Sequence, residues 1–215
     1  MDFLVLRLRG PLMSLAGPRI DGHPASLPIP AASMIAGLLS AALGYRRNDV
    51  RLAELTEGVR YGVVVHQPGI PGLDFQTADL QAIGDKTAVV DEKDQIRIIA
   101  REGSEEAKGR QIQKRPFLAD ADMTVVVELP AGWTASEVLE TLHKPVFPLY
   151  LGRMGYLPGT DVGEQVIDND SLESAIAVIA GERPGLRYLP VSGLTGGLVV
   201  PIPSRGHGSR LFAVS

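Results

Sequence analysis

Lys108, Arg110, Lys114 and Arg115 fall within the run AKGRQIQKRP, and no acid stands among them. Cations grouped in this way can neutralise successive phosphates, a contact that needs positive charge but no strict geometry. A charge run is more often a solvated face. This one, however, belongs to an acidic chain, with 21 Lys and Arg against 25 Asp and Glu and a formal net charge of −4. That balance excludes a generic polyanion binder and requires any nucleic-acid contact to be local. Arg46 and Arg47 form a second pair just past a helical stretch, where the helix dipole favours cations whatever their use. Ser33 lies near the start of the same helix, either as a plain cap or where main-chain N–H groups could hold a phosphate. Ser14 and Arg19 belong to a Pro- and Gly-rich stretch, able to meet phosphates or only solvent. Arg153 and Met154 stand far downstream.

Other chemistries are poorly served. The chain has no cysteine, which removes disulfides and thiolate metal sites and fits a reducing cytosol. His23, His66, His143 and His207 form no ligand-spaced pair on one helix face, so neither metal nor other cofactor is expected. No acid/base or phosphate-loop motif stands out. Aromatic residues make up 5% of the chain. Phe75, Phe117, Tyr150 and Tyr156 are the aromatics nearest the basic residues, and Phe117 and Tyr150 suit a core better. Arginine planes, methionine and backbone would then carry much of any base packing. The apolar N-terminus, MDFLVLRLRG, has its arginines after the apolar run, the wrong order for a signal peptide, and no stretch of about 18 apolar residues occurs elsewhere. A soluble cytoplasmic protein is expected.

The elements that must position these residues follow from periodicity. Leu4, Leu6 and Leu8 alternate with Phe3, Val5, Arg7 and Arg9, which predicts a strand with one buried face and one able to meet a polar partner. Residues 11–30 read as a long surface loop. Ile35, Leu38, Leu39, Ala42 and Leu43 have helical spacing and Gly44 is the stop. Asp49 caps a short second helix. Val59 to Gln67 and Met123 to Leu129 are β-branched strands. Thr134 to Glu137 is a capping box for a helix through Leu142, and VFPLYLG follows as a strand or extended segment. The order strand, helix, strand, strand, helix, strand predicts an α+β, ferredoxin-like βαββαβ fold with helices on one sheet face and the other face free. Between its halves, 74–116 reads as an inserted β-hairpin built on TAVV and QIRIIA. Residues 1–150 would form the main domain and 151–215 a small C-terminal lobe, with a helix on Leu172, Ala175, Ile176 and Ile179. Gly193, Gly196 and Gly197 in that tail permit close backbone approach or only a tight turn.

Four separated blocks carry a resemblance. RLRGPLMSLAGP, IPAASMIAGLLSAALGYRRND, RPFLADADMTVVVEL and KPVFPLYLGRMG resemble, in order and spacing, the CRISPR-associated protein 5 family of the RAMP superfamily, its type I-E branch above all. The resemblance implies a ferredoxin-like RAMP domain, a thumb-like hairpin and a small C-terminal lobe. It also implies a non-catalytic subunit that caps the 5′ handle of the crRNA inside a Cascade surveillance complex. Such a subunit joins the backbone and large subunits, meets target DNA only indirectly, and touches no membrane. The RNA contacts it implies are Ser14, Arg19, Ser33, Arg46, Arg47, Gln76, Thr77, Lys108, Arg110, Lys114, Arg115, Arg153 and Met154. The chain departs from the family pattern at four places. Leu15-Ala16-Gly17 stands for aromatic-Gly, and Ile29 to Ser33 lacks the usual arginine. Phe75-Gln76-Thr77-Ala78 replaces Tyr-His-Thr-Val, and Leu151 to Gly155 reads L-G-R-M-G rather than L-G-R-R-S.

The alternative is a metal-independent endoribonuclease cutting CRISPR repeat RNA, as in the type I-C branch. That chemistry needs one group to activate the 2′-OH and another to stabilise the leaving oxygen. Tyr45 and Lys114 match two of that branch's three residues, but Arg115 stands where its histidine would be. An unrelated metabolic enzyme of the same fold is the weakest reading.

Overall fold

The computed structural model describes residues 1–20, 23–79, 86–90, 96–100, 110–190 and 199–202, with side chains over 1–15, 27–76 and 114–188. In chain order come β1 (Asp2–Arg9), β2 (Leu12–Met13), β3 (Ala16–Ile20), β4 (His23–Ser26), α1 (Ala32–Leu43), α2 (Val50–Gly58), β5 (Arg60–Gln67) and β6 (Ile70–Asp79). They are followed by β7 (Lys86–Val90), β8 (Ile96–Ala100), β9 (Arg110–Ala119), β10 (Asp122–Glu128), α3 (Ala135–His143), β11 (Gly163–Asp168), α4 (Leu172–Glu182), β12 (Leu186–Pro190) and β13 (Val199–Ile202). The chain divides into two compact units: Met1–Gly72 with Pro116–Ser215, and Leu73–Arg115.

The first unit is built on a sheet ordered β11-β1-β10-β5-β12-β13, antiparallel throughout. Leu4, Leu6 and Leu8 of β1 pack with Val125 and Val127 of β10 beneath Ile35, Leu39 and Ala42 of α1 and Val138 and Leu142 of α3. The opposite face is not free. Phe3, Val5, Val64 and Val126 are covered by Leu172, Ala175, Ile176 and Ile179 of α4. The expectation of an open sheet face is thus corrected: the tail's amphipathic helix returns to cover it. Gly62 lets α4 come close, since a Cβ there would lie 1.9 Å from Ile176 Cδ1.

Arg7 shares the face of Phe3 and Val5, yet its polar partner is internal. Its guanidinium donates to both Asp122 oxygens, at 3.0 and 2.7 Å, and the side chain is only 18% exposed. Glu164 lies 3.9 Å from Arg7 and also pairs with Arg183. Arg9 extends the chain of charges, 4.0 Å from Asp122.

Two other expectations are corrected. Residues 11–30 are not a plain loop: β2 pairs with β9 through Leu12–Ala119 and Met13–Leu118, and β3 pairs with β4. Proline is tolerated in such a two-stranded ribbon because both strands are edges. Nor does VFPLYLG form a strand. Its Val146 and Phe147 amides donate to the Ala42 and Ala41 carbonyls at the end of α1, groups that have no partner within a helix. The edge beside β1 is taken instead by β11, pairing Phe3 with Ile167. In the second unit, β7 and β8 pair antiparallel, with Val89 opposite Arg97.

Gly62→Ala should lower the unfolding free energy by about 1–3 kcal/mol, the usual cost of overfilling a packed core. Urea denaturation checks this, and part of the loss should be recovered in an Ile176→Val background, because the two positions touch.

Candidate functional site

A cleft of about 480 Å³ opens between the start of α1, the residues after β2 and the turn at 150–154. It is lined by Ser14, Ser33, Gly37, Tyr150, Arg153 and Met154, among others. Four residues singled out from separate parts of the sequence, Ser14, Ser33, Arg153 and Met154, therefore meet at one place.

The helix start is exposed there. The N-cap is Ala31, not Ser33, and it has no side chain to accept from the first turn. Ser33 sits inside that turn as the second helical residue, which corrects its reading as a cap. Met34 and Ile35 donate to the Ala31 carbonyl. The Ala32 and Ser33 amides precede any possible intrahelical acceptor. With the positive end of the helix dipole they make an electropositive rim.

The opposite wall is held from within. Ser14 N donates to the Leu151 carbonyl at 2.9 Å, and Ser14 Oγ donates to the Pro116 carbonyl at 3.2 Å. The two strands of chain are so close that a Cβ on Gly152, whose φ is +89°, would lie 2.0 Å from Ser14 O. Only glycine serves at that point. Arg153 donates to the same Pro116 carbonyl and to the Tyr156 hydroxyl, both at 2.9 Å, with its guanidinium 5.2 Å over the Tyr156 ring. Arg153 thus braces the wall. Met154 stands 78% exposed at the lip.

A model of the family described as CRISPR-associated protein (Cas_Cas5) matches residues 3–198. The chain belongs to this family. It is 30% identical over 156 residues to the CRISPR system Cascade subunit CasD of Escherichia coli (strain K12), a match covering 71% of this chain and 65% of that protein. The matched stretch is thus just under two thirds of the relative's length. Two solved structures are similar at 27% identity and a TM-score of 0.58. One is titled a CRISPR RNA-guided surveillance complex, with 81% of this chain and 67% of that chain covered; the other is titled a crystal structure of Cas protein, with 92% and 83% covered.

The remaining candidates of this Cas5-family chain are scattered. Arg46 and Arg47 are exposed in the turn after α1, with no ion-pair partner among the described residues. Gln76 is exposed on β6 and donates weakly to Asp74 at 3.4 Å. Lys114 is exposed on β9 and Arg115 half-buried beside it. Arg19, Thr77 and Arg110 lie in β3, β6 and β9, their side chains outside the described set; Lys108 and the glycines 193, 196 and 197 lie outside the described residues. Tyr45, the alternative's first residue, accepts from Trp133 Nε1 at 3.2 Å and lies under the Arg51 guanidinium, 3.9 Å from its ring centre. Among the described residues no cluster of three metal-ligating side chains occurs, and no helix is long and apolar enough to cross a membrane.

Sequence reasoning missed Tyr61 and Gly37. Gly37 lines the cleft with nothing within 4 Å of where its Cβ would stand. Tyr61 is buried in β5 and donates its hydroxyl to the Pro30 carbonyl at 2.8 Å, fixing the chain just before α1. Burial pushes its pKa up to about 12. Neutral phenol is the folded form, so this contribution is complete below pH 10, where unfolded tyrosine begins to titrate, and is lost as pH rises to 12. Tyr61→Phe should cost about 1–2 kcal/mol at pH 7, and should lose less further stability than the parent between pH 10 and 12. Urea titrations at both pH values measure the two differences.

Proposed function

We propose that this chain is a non-catalytic crRNA-binding subunit of a type I Cascade-like surveillance complex in the cytoplasm. It caps the 5′ handle of the guide RNA and joins the backbone and large subunits, and target DNA is met only through the assembled complex. The observation that carries this reading is the cleft: Ser14, Ser33, Arg153 and Met154 line it beside a helix start whose cap has no side-chain acceptor. An RNA phosphate supplies the acceptor that the Ala32 and Ser33 amides lack among the described residues, with the helix dipole in its favour. The similarity to a Cascade subunit and to a protein of an RNA-guided complex supports the same assignment. The strand order β11-β1-β10-β5, with α1 and α3 on one face, supports the ferredoxin-like description of the main domain.

In this reading Arg46, Arg47, Lys108, Arg110, Lys114 and Arg115 neutralise backbone charge rather than read sequence. Arg153 acts through the wall it braces, and Met154 and Ser14 meet the RNA across the cleft. Arg19, Gln76 and Thr77 belong to the same contact set. The repeat-cutting alternative is disfavoured by Tyr45, whose ring and hydroxyl are engaged by Arg51 and Trp133.

Gly37 provides a test that does not confuse binding with unfolding. Gly37→Leu places a side chain in open cleft and replaces a helix-interior glycine, which should stabilise α1 by about 0.5–1 kcal/mol. The measurement is co-purification from cells expressing the neighbouring genes and a CRISPR array, with sequencing of the bound RNA. The parent should recover crRNA of uniform 5′ end, intact, and Gly37→Leu should recover at least tenfold less while folding normally. Equal recovery by Gly37→Leu would remove the cleft from the RNA path, and a parent free of RNA would sink the reading altogether.

A further inference from the structure

The second unit carries an exposed aromatic that the functional reading leaves unused. Phe75 on β6 is 59% exposed, the most exposed aromatic among the described residues, in a chain with only 5% aromatics. Leu73, two residues earlier on the same strand face, is 45% exposed. Such a pair on a sheet costs free energy in water unless something covers it. β9 is the neighbouring strand, and it places Lys114 Nζ 5.7 Å from the centre of the Phe75 ring. Lys114 has no acidic partner among the described residues. The face therefore combines a flat apolar ring, an adjoining aliphatic side chain and an ammonium that meets no acid among the described residues.

That combination is complementary to one stacked nucleotide. A protein partner would bury the ring but would have to desolvate the ammonium or supply an acid to it. A single-stranded polynucleotide supplies both counterparts in each repeat unit, a π-face for the ring and a phosphate for the cation. Cation–π attraction at an exposed site is weaker than base stacking, so the ammonium can leave the ring for a phosphate when a base arrives.

We propose that Phe75, with Leu73 beside it, stacks one nucleobase of a single-stranded RNA while Lys114 holds an adjacent phosphate. This rests on the RNA-binding reading above and adds a base-stacking residue to it. The platform is indifferent to base identity, because every base has a π-face.

Binding of the full chain to a synthetic single-stranded repeat RNA, followed by fluorescence anisotropy over a range of salt, tests it. Phe75→Ala should weaken binding about five- to a hundredfold, the span found when stacking aromatics are truncated. Phe75→Leu, which keeps apolar bulk but no flat face, should weaken it nearly as much, and Phe75→Trp should restore it. The salt slope should be unchanged in all three variants. Lys114→Gln should make the slope of log K against log salt shallower by about 0.7, as expected for one lost phosphate contact on a single strand. Restoration by tryptophan excludes a folding defect. Parent-level binding by Phe75→Ala or Phe75→Leu would overturn the platform while leaving RNA binding intact. A parent that binds no RNA would overturn both. Loss of a protein subunit from the purified complex, with RNA retained, would assign the face to a protein instead.

Discussion

β1 must bury both of its faces, and most of the architecture follows from how it does so. Leu4, Leu6 and Leu8 face α1 and α3, while Phe3 and Val5 face α4. A strand buried on both sides tolerates no exposed cation at its centre. Arg7 is accommodated there only because Asp122 accepts both of its forward donors and Glu164 stands behind. Removing one partner of such a pair leaves the other charge poorly compensated, which is far more costly than never having had the pair. The ion-pair chain through Arg183, Glu164, Arg7, Asp122 and Arg9 thus ties β1, β10 and β11 to the end of α4.

That burial also decides where a ligand can go. With α4 across Phe3, Val5, Val64 and Val126, that part of the second sheet face is closed to nucleobases. A cleft remains at the start of α1. There Ala31 leaves the first turn uncapped, and Gly152 lets the 150–154 turn approach Ser14 closely. The cleft between them exists because one wall is a helix start and the other a turn that no larger residue could make. An acidic protein can hold RNA in this way, since main-chain amides and a few cations supply local positive potential without changing the net charge.

Much of this was legible in the sequence where one local principle acts alone. The helical spacing through Ile35, Leu38, Leu39 and Ala42, the Gly44 stop and the Asp49 cap all occur as expected. So do the β-branched runs of β5 and β10 and the helix on Leu172, Ala175, Ile176 and Ile179. The misreadings came where long-range partners decide. Pro- and Gly-rich residues 11–30 look like loop, yet β9 supplies an edge for Leu12 and Met13. VFPLYLG looks like strand, yet its amides satisfy the end of α1. Arg7 looks like a contact residue until Asp122, 115 positions away, is seen to hold it. The cleft itself could not be read in advance, because no local pattern says that Ser14, Ser33 and Met154 share a wall.

The central claim is that the 5′ end of the guide RNA lies in the cleft at the start of α1. Ultraviolet cross-linking of the assembled complex, with mass spectrometry of the peptide–nucleotide adducts, tests it most directly. Adducts from the 5′-terminal handle nucleotides should fall on peptides carrying Ser14, Ser33 and Met154. Handle adducts confined to the α4 side of the sheet, with none on those peptides, would contradict the account.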